Sequence, residues 1–309
     1  MITTVCLNPC MDRSISIAEF KYGGMNRVVD SRSDAGGKGV NVAVTSARLG
    51  LETTCISFLH RNGGKEIENK LFANGVSSAG IWLDGTLRTN LKVVDQSRTT
   101  VTEINESGSL VSPTDLQKMT RLILNRAQDS DFLILSGSLP PGCPVDYYRT
   151  IIEATEGMKC RCVLDADGER LHEGLKARPY LVKPNLAELE SLLGKRMESV
   201  DQVHEAAQML LRQGVSLVAV SLGENGALVT DGRETLYAPR LDVPVKSTVG
   251  AGDAMIAGFA AGCLAELELK EVFRRAVACA TANVMSEGTQ PMDRAEYRSL
   301  LDKIVIHSL

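Results

Sequence analysis

Residues 247–259 read Ser-Thr-Val-Gly-Ala-Gly-Asp-Ala-Met-Ile-Ala-Gly-Phe, a glycine-containing polar turn that runs directly into an apolar helix. Glycine lets a backbone approach a ligand closely, and the first turn of a helix offers unpaired N–H groups at its positive end. Gly250, Ala251 and Gly252 are therefore predicted to form an anion hole for a phosphoryl group. Asp253 follows at the helix start, where its carboxylate could take a proton from an incoming hydroxyl. Taken alone, the stretch is equally compatible with Asp253 acting only as a helix cap.

Outward from this stretch, short apolar runs rich in β-branched residues alternate with amphipathic helical segments. The predicted strands cover residues 53–58, 132–136, 160–165, 180–183 and 217–221. The predicted helices cover residues 40–49, 65–74, 113–127, 145–155 and 200–213. Strands separated by helices imply right-handed crossovers. The sequence therefore predicts an α/β fold with a mostly parallel sheet flanked by helices on both faces.

Two regions, at about 11–35 and 86–106, break this alternation and have the pattern of polar strands without helices between them. Strands with one polar face suit a small sheet that projects from the main one and acts as a lid. Such a sheet could cover a site or pair with another subunit. Because the chain contains no repeat or long linker, we expect one domain over residues 1–309 with the lid strands inserted into it.

Composition limits the partners and the cellular location. The 309 residues carry a net charge of −4, which gives no global basic surface and predicts no nucleic-acid partner. The N-terminus lacks a basic segment followed by an apolar run, and no stretch is long enough to cross a bilayer, so no membrane association is predicted. The eight cysteines contain no Cys-x-x-Cys pair and are interpreted as buried, reduced thiols of a cytoplasmic protein.

A second glycine-rich turn, Asp34-Ala-Gly-Gly-Lys-Gly-Val-Asn-Val-Ala, also precedes a helix. Here Gly37 brings backbone amides to a ligand, Lys38 adds charge, and Asn41 could bind sugar hydroxyls. The turn is not a P-loop, because Gly39 stands where Ser or Thr must follow the lysine. The alternative is a plain strand-to-helix turn with an exposed lysine.

A third segment, Leu181-Val-Lys-Pro-Asn-Leu-Ala-Glu-Leu, ends a strand at Lys183 and begins a helix near Leu186. Asn185 and Glu188 are three residues apart and can reach one place at the helix start. A carboxylate near a triphosphate usually acts through Mg²⁺ and its waters. The pair also has the pattern of a capping box, and both interpretations can hold together.

Two further turns, at 136–142 and 221–227, follow predicted strands and place small polar groups at strand carboxyl ends, where open α/β sheets bind ligands. The chain lacks a G-x-G-x-x-G fingerprint, which disfavours a dinucleotide-dependent oxidoreductase.

These segments, in this order, resemble the PfkB family of ribokinase-like carbohydrate kinases over residues 7–283. Within the family the chain is most similar to the 1-phosphofructokinase and tagatose-6-phosphate kinase branch. The pieces that carry this similarity are Leu7-Asn-Pro with Asp12, Asn26-Arg-Val, Ala35-Gly-Gly-Lys-Gly-Val-Asn-Val-Ala, Arg88-x-Asn-x-Lys and Ser136-Gly-Ser-Leu-Pro-Pro-Gly. The resemblance implies a doubly wound fold with a β-sheet lid, often used for dimerisation, and so a homodimer through the lid.

The resemblance also implies roles at the matching positions. Asp253 would be the catalytic base, and Gly250, Ala251 and Gly252 would stabilise the transferring phosphoryl group. The implied substrate-binding residues are Asp12, Arg27, Gly37, Lys38, Asn41, Arg88, Asn90 and Ser138. The implied nucleotide-binding residues are Lys183, Asn185, Ser221, Gly223, Gly226, Thr248 and Asn283. Glu188 would organise Mg²⁺, with ATP as the phosphoryl donor.

The expected activity is ATP-dependent phosphorylation of a phosphorylated ketohexose, with fructose 1-phosphate favoured over tagatose 6-phosphate or fructose 6-phosphate. A non-catalytic nucleotide-binding regulator is disfavoured, because such a protein would be expected to have lost Asp253 or an anion-hole glycine. The sequence departs from its relatives at Leu59-His60-Arg61, where they usually have a Leu-Gly-Gly turn, and at Cys10-Met11 before Asp12. We expect the first departure to lie near the site and to affect substrate preference.

Overall fold

The structure is a computed structural model that describes all residues, 1–309. It contains fourteen strands: β1 (Ile2–Cys6), β2 (Cys10–Ile17), β3 (Val28–Gly36), β4 (Thr53–Asn62), β5 (Ser77–Thr86), β6 (Arg88–Asp95), β7 (Thr100–Asn105), β8 (Phe132–Ser136), β9 (Arg161–Asp165), β10 (Leu181–Val182), β11 (Leu217–Ser221), β12 (Ala227–Thr230), β13 (Thr235–Ala238) and β14 (His307–Ser308). It contains ten α-helices: α1 (Lys38–Arg48), α2 (Gly64–Ala73), α3 (Pro113–Ala127), α4 (Tyr147–Ala154), α5 (Gly168–Leu175), α6 (Leu186–Leu193), α7 (Val200–Arg212), α8 (Ala251–Leu264), α9 (Leu269–Val284) and α10 (Arg294–Leu301). None of the helices is both long and apolar enough to span a bilayer.

Ten strands form the main sheet, in the order β14-β13-β12-β11-β10-β9-β8-β1-β4-β5. All neighbours from β11 to β5 are parallel, and the three pairs at the other edge are antiparallel. The chain starts inside the sheet at β1, the third strand from one edge, and builds outward in both directions. This confirms the doubly wound α/β fold, and it creates a crevice at the carboxyl ends of the strands beside β1, where such sheets bind ligands.

The strands are buried on both faces, so they contribute alternate residues to two different hydrophobic clusters. In β8, Phe132 and Ile134 join the cluster that includes α8 and α9, whereas Leu133 and Leu135 join the cluster on the other face. Helix α8 is apolar on all sides because it is itself covered. A Cβ atom at Gly258 would lie 2.6 Å from Ala276 Cα, so this glycine is what lets α9 pack so closely. That packing fixes α8 between α9 and the sheet.

The predicted helices and strands are present, most within two residues of their predicted ends. The end of one strand has to be corrected. Residues Leu59-His60-Arg61 were expected to form a turn after it, but β4 continues to Asn62 and pairs with β5 along this stretch. Leu59 and His60 are buried strand residues, and the chain turns only at Gly63, whose φ of 89° favours glycine. These residues do not line the large cavity described below, so the expectation that they lie near the site is wrong.

A separate four-stranded sheet, which we name the lid sheet, has the order β3-β2-β6-β7. Strands β2 and β6 are parallel, and the two outer pairs are antiparallel. The lid sheet joins the main domain where β3 runs into α1 through Gly37. Its strands lie within the two segments predicted from their polar alternation; the assignment of one domain with an inserted lid stays a prediction.

Candidate active site

A cavity of about 1300 Å³ lies between the carboxyl ends of the main-sheet strands and the lid sheet. Most of the residues predicted for the site line it. They are Asp12, Gly37, Lys38, Asn41, Arg88, Asn90, Ser138, Lys183, Asn185, Glu188, Ser221, Gly223, Gly226, Thr248, Gly250, Ala251, Gly252 and Asp253. Segments far apart in sequence therefore meet around a single space that is large enough for a nucleotide and a sugar phosphate together.

Two of the predicted site residues lie outside this cavity. Arg27 is exposed on the loop before β3, at the far end of the lid sheet. Asn283, on α9, is only 5% exposed and lines a separate, much smaller cavity beside Gly250. Sequence spacing could not separate these two residues from the others, because their distance from the cavity depends on how the lid and α9 pack.

Helix α8 begins with backbone amides that have no partner in the protein. Gly250 precedes it with a φ of 82°, a left-handed conformation that glycine adopts without strain. The first intrahelical bond runs from Ala254 N–H to the Gly250 carbonyl, at 2.8 Å, whereas the N–H groups of Gly252 and Asp253 have no acceptor. Two free amides at the positive end of a helix dipole form a ready anion site facing the cavity.

The carboxylate of Asp253 lies beside these amides and is 5% exposed. Its Oδ2 accepts a hydrogen bond of 2.9 Å from Asn41 Nδ2. The Asp253 side chain does not cap α8, so the capping alternative for this residue is not what the structure shows. Burial, together with the nearby negative charge of Asp165, raises the pKa of Asp253 to about 6. A carboxylate with such a pKa is mostly ionised near neutral pH and is still a useful proton acceptor.

Asp165, which the sequence analysis did not single out, lies at the carboxyl end of β9 and is 1% exposed. Its Oδ1 is 3.3 Å from Lys38 Nζ and 3.5 Å from Lys183 Nζ. Burial alone would raise the pKa of Asp165, but the ammonium groups of Lys183 and Lys38 more than offset it and hold the pKa below its usual value. The same carboxylate raises the pKa of Lys38. The carboxylate thus holds both lysines in place next to the anion site.

Asp165 ends a predicted strand, but no motif around it distinguishes it from other residues at strand ends. Three other residues that line the cavity were given no role by the sequence: Glu103, and Asn8 and Lys92, which stand in motifs quoted above. Lys92 and Glu103 form an ion pair of 3.1 Å between β6 and β7. The alternation of these two polar strands did not indicate that the pair lines the cavity.

On the lid side, a chain of hydrogen bonds positions Asp12. Asn90 Nδ2 donates to Asp12 Oδ1 at 3.1 Å, and Arg88 Nη1 donates to Asn90 Oδ1 at 2.7 Å. Arg88 Nε also donates to the backbone carbonyl of Asn8, at 3.0 Å. Asn8 Nδ2 in turn donates to Ser138 Oγ, at 3.1 Å. The lid and the turn after β8 therefore present one connected set of polar groups, with the Arg88 guanidinium at its centre.

On the opposite side, the turns after β10 and β11 lie next to each other. Asn185 and Glu188 form a reciprocal capping box, with Asn185 N–H donating to Glu188 Oε2 at 2.9 Å and Glu188 N–H donating to Asn185 Oδ1 at 2.8 Å. The capping interpretation of this pair is therefore correct. Both side chains still line the cavity, so the cap does not prevent a second role.

The carboxylates of this cavity suit Mg²⁺ only as a partly hydrated ion. No three His, Cys, Asp or Glu side chains converge closely enough to hold a metal on their own. Glu188, Asp165 and Asp167 all line the cavity and offer carboxylate oxygens. Mg²⁺ typically keeps several waters and is held by one or two carboxylates together with substrate phosphates, so this donor set fits it.

The crevice of the doubly wound sheet thus brings together free helix amides, fixed lysines and a buried carboxylate of raised pKa. These groups can stabilise a transferring phosphoryl group and accept a proton, which places the protein in the class of phosphotransferases. The family model of pfkB family carbohydrate kinases matches residues 4–295, and the chain belongs to this family. It is a carbohydrate kinase with the ribokinase-like fold expected from its glycine-rich turns.

Relatives of known name agree over nearly the whole chain. A 1-phosphofructokinase from Rhodobacter capsulatus is 38% identical over 278 residues, which cover 90% of this chain and 88% of the relative. A 1-phosphofructokinase from Bacillus subtilis is 33% identical over 287 residues, 93% of each chain. Among solved structures, the phosphofructokinase-2 of Escherichia coli in complex with substrates and products has a TM-score of 0.91 and 28% identity, covering 98% of this chain and 99% of that one.

Proposed function

We propose that the protein transfers the terminal phosphoryl group of ATP to fructose 1-phosphate and forms fructose 1,6-bisphosphate. The observation that carries this proposal is the position of Asp253, a buried carboxylate beside the unpartnered amides of α8, inside a cavity with lysines on one side and Arg88 on the other. The names of the relatives support fructose 1-phosphate as the acceptor.

Asp253 takes the proton from the attacking hydroxyl of the sugar. Asn41 holds the carboxylate in place through the hydrogen bond to Oδ2 and keeps it ionised. The free N–H groups of Gly252 and Asp253, with Gly250 and Ala251 shaping the turn, stabilise the charge on the transferring phosphoryl group. Most of the acceleration in phosphoryl transfer comes from such positioning and charge neutralisation.

The sugar phosphate binds between the lid sheet and the turns after β1 and β8. Asp12, Asn41, Asn90 and the backbone at Gly37 bind its hydroxyls. Arg88 and Ser138, with Lys38 nearby, bind its phosphate. A kinase for a neutral sugar would not need this concentration of positive charge, which supports a phosphorylated acceptor.

The nucleotide occupies the opposite part of the cavity, along the turns that carry Lys183, Asn185, Ser221, Gly223, Gly226 and Thr248. Glu188 would hold Mg²⁺ through water, and the bound ion would supply charge neutralisation at the phosphates of the nucleotide. Lys183 lies directly against the start of α8, since a Cβ at Gly252 would lie 2.9 Å from its Nζ. It therefore meets the phosphates at the point of transfer.

We also propose that two copies of the chain pair through the lid sheet. The side chains of Val28 and Val29 on β3, and of Val101 and Ile104 on β7, are 50–64% exposed, an unusual concentration of apolar surface on a small sheet. Such a pairing would place Arg27, exposed next to Val28, at the subunit interface. Sedimentation of the wild type and of Val29→Asp tests this: we expect a dimer that the charge dissociates, and a monomeric wild type would contradict it.

The eight cysteines are all free, six of them buried, which supports a reducing, cytoplasmic location.

An assay of ADP release across fructose 1-phosphate, fructose 6-phosphate, tagatose 6-phosphate and free fructose tests the substrate. We expect the highest kcat/KM with fructose 1-phosphate and the lowest with free fructose. A preference for either 6-phosphate would overturn the acceptor while leaving the kinase assignment intact. No ADP release with any sugar phosphate would contradict the catalytic proposal and favour a regulator that only binds nucleotide.

A further inference from the structure

A second cavity, of about 10 Å³, adjoins Gly250 and Asn41. Its wall is formed by α1, α2, α9, the turn before α8 and the loop before α10, and its polar side chains include Asn41, Lys70, Asn283 and Thr289. A volume of about this size holds one water molecule, provided that the wall supplies two to four polar partners.

Three oxygen atoms in this wall are buried and have no hydrogen-bond partner in the protein. They are Asn41 Oδ1, Asn283 Oδ1 and Thr289 Oγ1. The side chains of Asn283 and Thr289 are more than nine-tenths buried. A buried polar atom left unpaired destabilises the folded protein, so three such atoms around one small space indicate a shared hydrogen-bonding partner within it.

Lys70 brings the only ammonium group to this wall. Its Nζ donates to the carbonyl oxygens of Ala35, at 2.6 Å, and Thr289, at 3.2 Å, both uncharged acceptors. An ammonium has three N–H donors, so one remains for a molecule in the cavity. Burial lowers the pKa of Lys70, and the nearby negative charges of Asp34 and Asp12 oppose this effect in part.

The two carbonyls that Lys70 binds belong to different segments around the site. Ala35 is at the end of lid strand β3, where the chain enters α1. Thr289 is in the loop after α9, which also contacts the lid sheet through a 2.8 Å hydrogen bond from Gln290 Nε2 to Asp34 Oδ1. Lys70 therefore contacts the end of lid strand β3, the loop after α9 and the small cavity next to Gly250.

We propose that Lys70 is a positioning residue for phosphoryl transfer, acting with one buried water in this small cavity. The water accepts from Lys70 and donates to Asn41 and Asn283. Asn41 is thereby held against Asp253. Asn283 is held against Gly250, since a Cβ atom at Gly250 would lie only 3.3 Å from Asn283 Oδ1. The inference rests on the proposed role of Asp253, and it makes alignment of the base depend on the end of the lid strand.

Steady-state kinetics of Lys70→Met test the proposal, because methionine keeps most of the side-chain volume and removes the donors. We expect kcat to fall about 10-fold or more with the KM for ATP almost unchanged, since a misplacement of ~1 Å can cost about 100-fold in rate. The matched control is Lys65→Met on the same helix, whose ammonium pairs with Glu68 at the surface. It should leave kcat within about twofold.

A wild type without activity would refute the proposed function itself. If the wild type is active and Lys70→Met has a normal kcat, only the present inference is refuted. The same holds if Lys70→Met lowers the melting temperature but not kcat. Combining Lys70→Met with Asn283→Ala tests whether the two residues act through one water. If they do, kcat of the double variant should be little lower than that of the worse single variant. Losses of kcat that multiply in the double variant would contradict a shared water.

Thr289→Val keeps the test available if Lys70→Met does not fold. Valine has the same shape but lacks the hydroxyl that would bind the water. We expect kcat to fall about threefold, the loss of one water-mediated contact. A variant with unchanged kcat and a raised melting temperature would mean that the cavity is dry and that the proposal is wrong.

Discussion

Asn41 Nδ2 and Asp253 Oδ2, on residues 212 positions apart in the chain, are joined by a hydrogen bond of 2.9 Å. The bond connects the start of α1, which follows the lid, to the start of α8, which carries the anion site. It stabilises the ionised carboxylate and so opposes the burial that raises the pKa of Asp253. The ionisation of the base is therefore set by contacts from both sides of the cavity.

Asn41→Ala should move the acidic limb of the kcat/KM profile to higher pH. The wild-type limb is expected near pH 6, because activity is lost as pH falls through the pKa of Asp253. Removing a hydrogen bond to the charged form raises that pKa, by up to about one unit. Asn69→Ala, an exposed change on α2, should leave the limb in place. A limb that stays at the same pH or moves down in Asn41→Ala would contradict this role.

Asp165→Asn should move the same limb to lower pH. The Asp165 carboxylate raises the pKa of Asp253, and its removal also frees the charges of Lys38 and Lys183 to act on Asp253. Both effects favour the ionised base. The two variants thus shift the profile in opposite directions, and a shift in the same direction would show that general destabilisation dominates instead of charge.

Arg88→Ala should raise the KM for fructose 1-phosphate by about 10-fold, the usual effect of losing a charge-assisted contact to phosphate. The KM for ATP should change little, because Arg88 lies on the lid side of the cavity. The matched control is Arg61→Ala, which removes an exposed guanidinium paired with Asp84 away from the cavity. An Arg88→Ala variant with a normal KM for the sugar phosphate would exclude Arg88 as its ligand.

Gly226→Ala should unfold at a temperature several degrees below that of Gly223→Ala. Both glycines have positive φ in the same turn, 87° and 60°. A Cβ at Gly226 would lie 2.0 Å from the backbone oxygen of Ala238, whereas one at Gly223 would meet nothing within 4 Å. A non-glycine residue in such a positive-φ conformation costs about 1–3 kcal/mol, and only the first variant adds a backbone clash. Equal melting temperatures would contradict this prediction and show that the backbone of β13 can shift to accommodate the added Cβ.

Local patterns were sufficient to predict most of the fold. Which faces of a strand or helix are buried determines where its apolar residues stand, and this spacing can be read from consecutive residues. The stretch from Phe132 to Ser136 is an example, since each residue type there is consistent with a strand covered on both faces. The end of β4 was missed because Leu59 and His60 are buried by β5, a neighbour that short-range patterns do not reveal.

The site was predictable only where one segment carried its own signal. The start of α8 combines glycines, free amides and a carboxylate within a few consecutive residues, so its role could be inferred from sequence. Asp165 has no such context: it matters because β9 lies where Lys38 and Lys183 both reach its carboxylate. Lys70 was also missed, since its acceptors, at Ala35 and Thr289, come from segments distant in sequence.

The replacement Asp253→Asn tests the central claim most directly, because it keeps the shape of the side chain and replaces the proton-accepting carboxylate by a neutral amide. Single-turnover measurements with fructose 1-phosphate and ATP, alongside nucleotide binding and thermal unfolding, give the comparison. We predict unchanged folding and nucleotide affinity with turnover lower by at least about 10²–10⁴-fold, the usual contribution of a general base. Near-normal turnover in a folded Asp253→Asn protein would contradict the account.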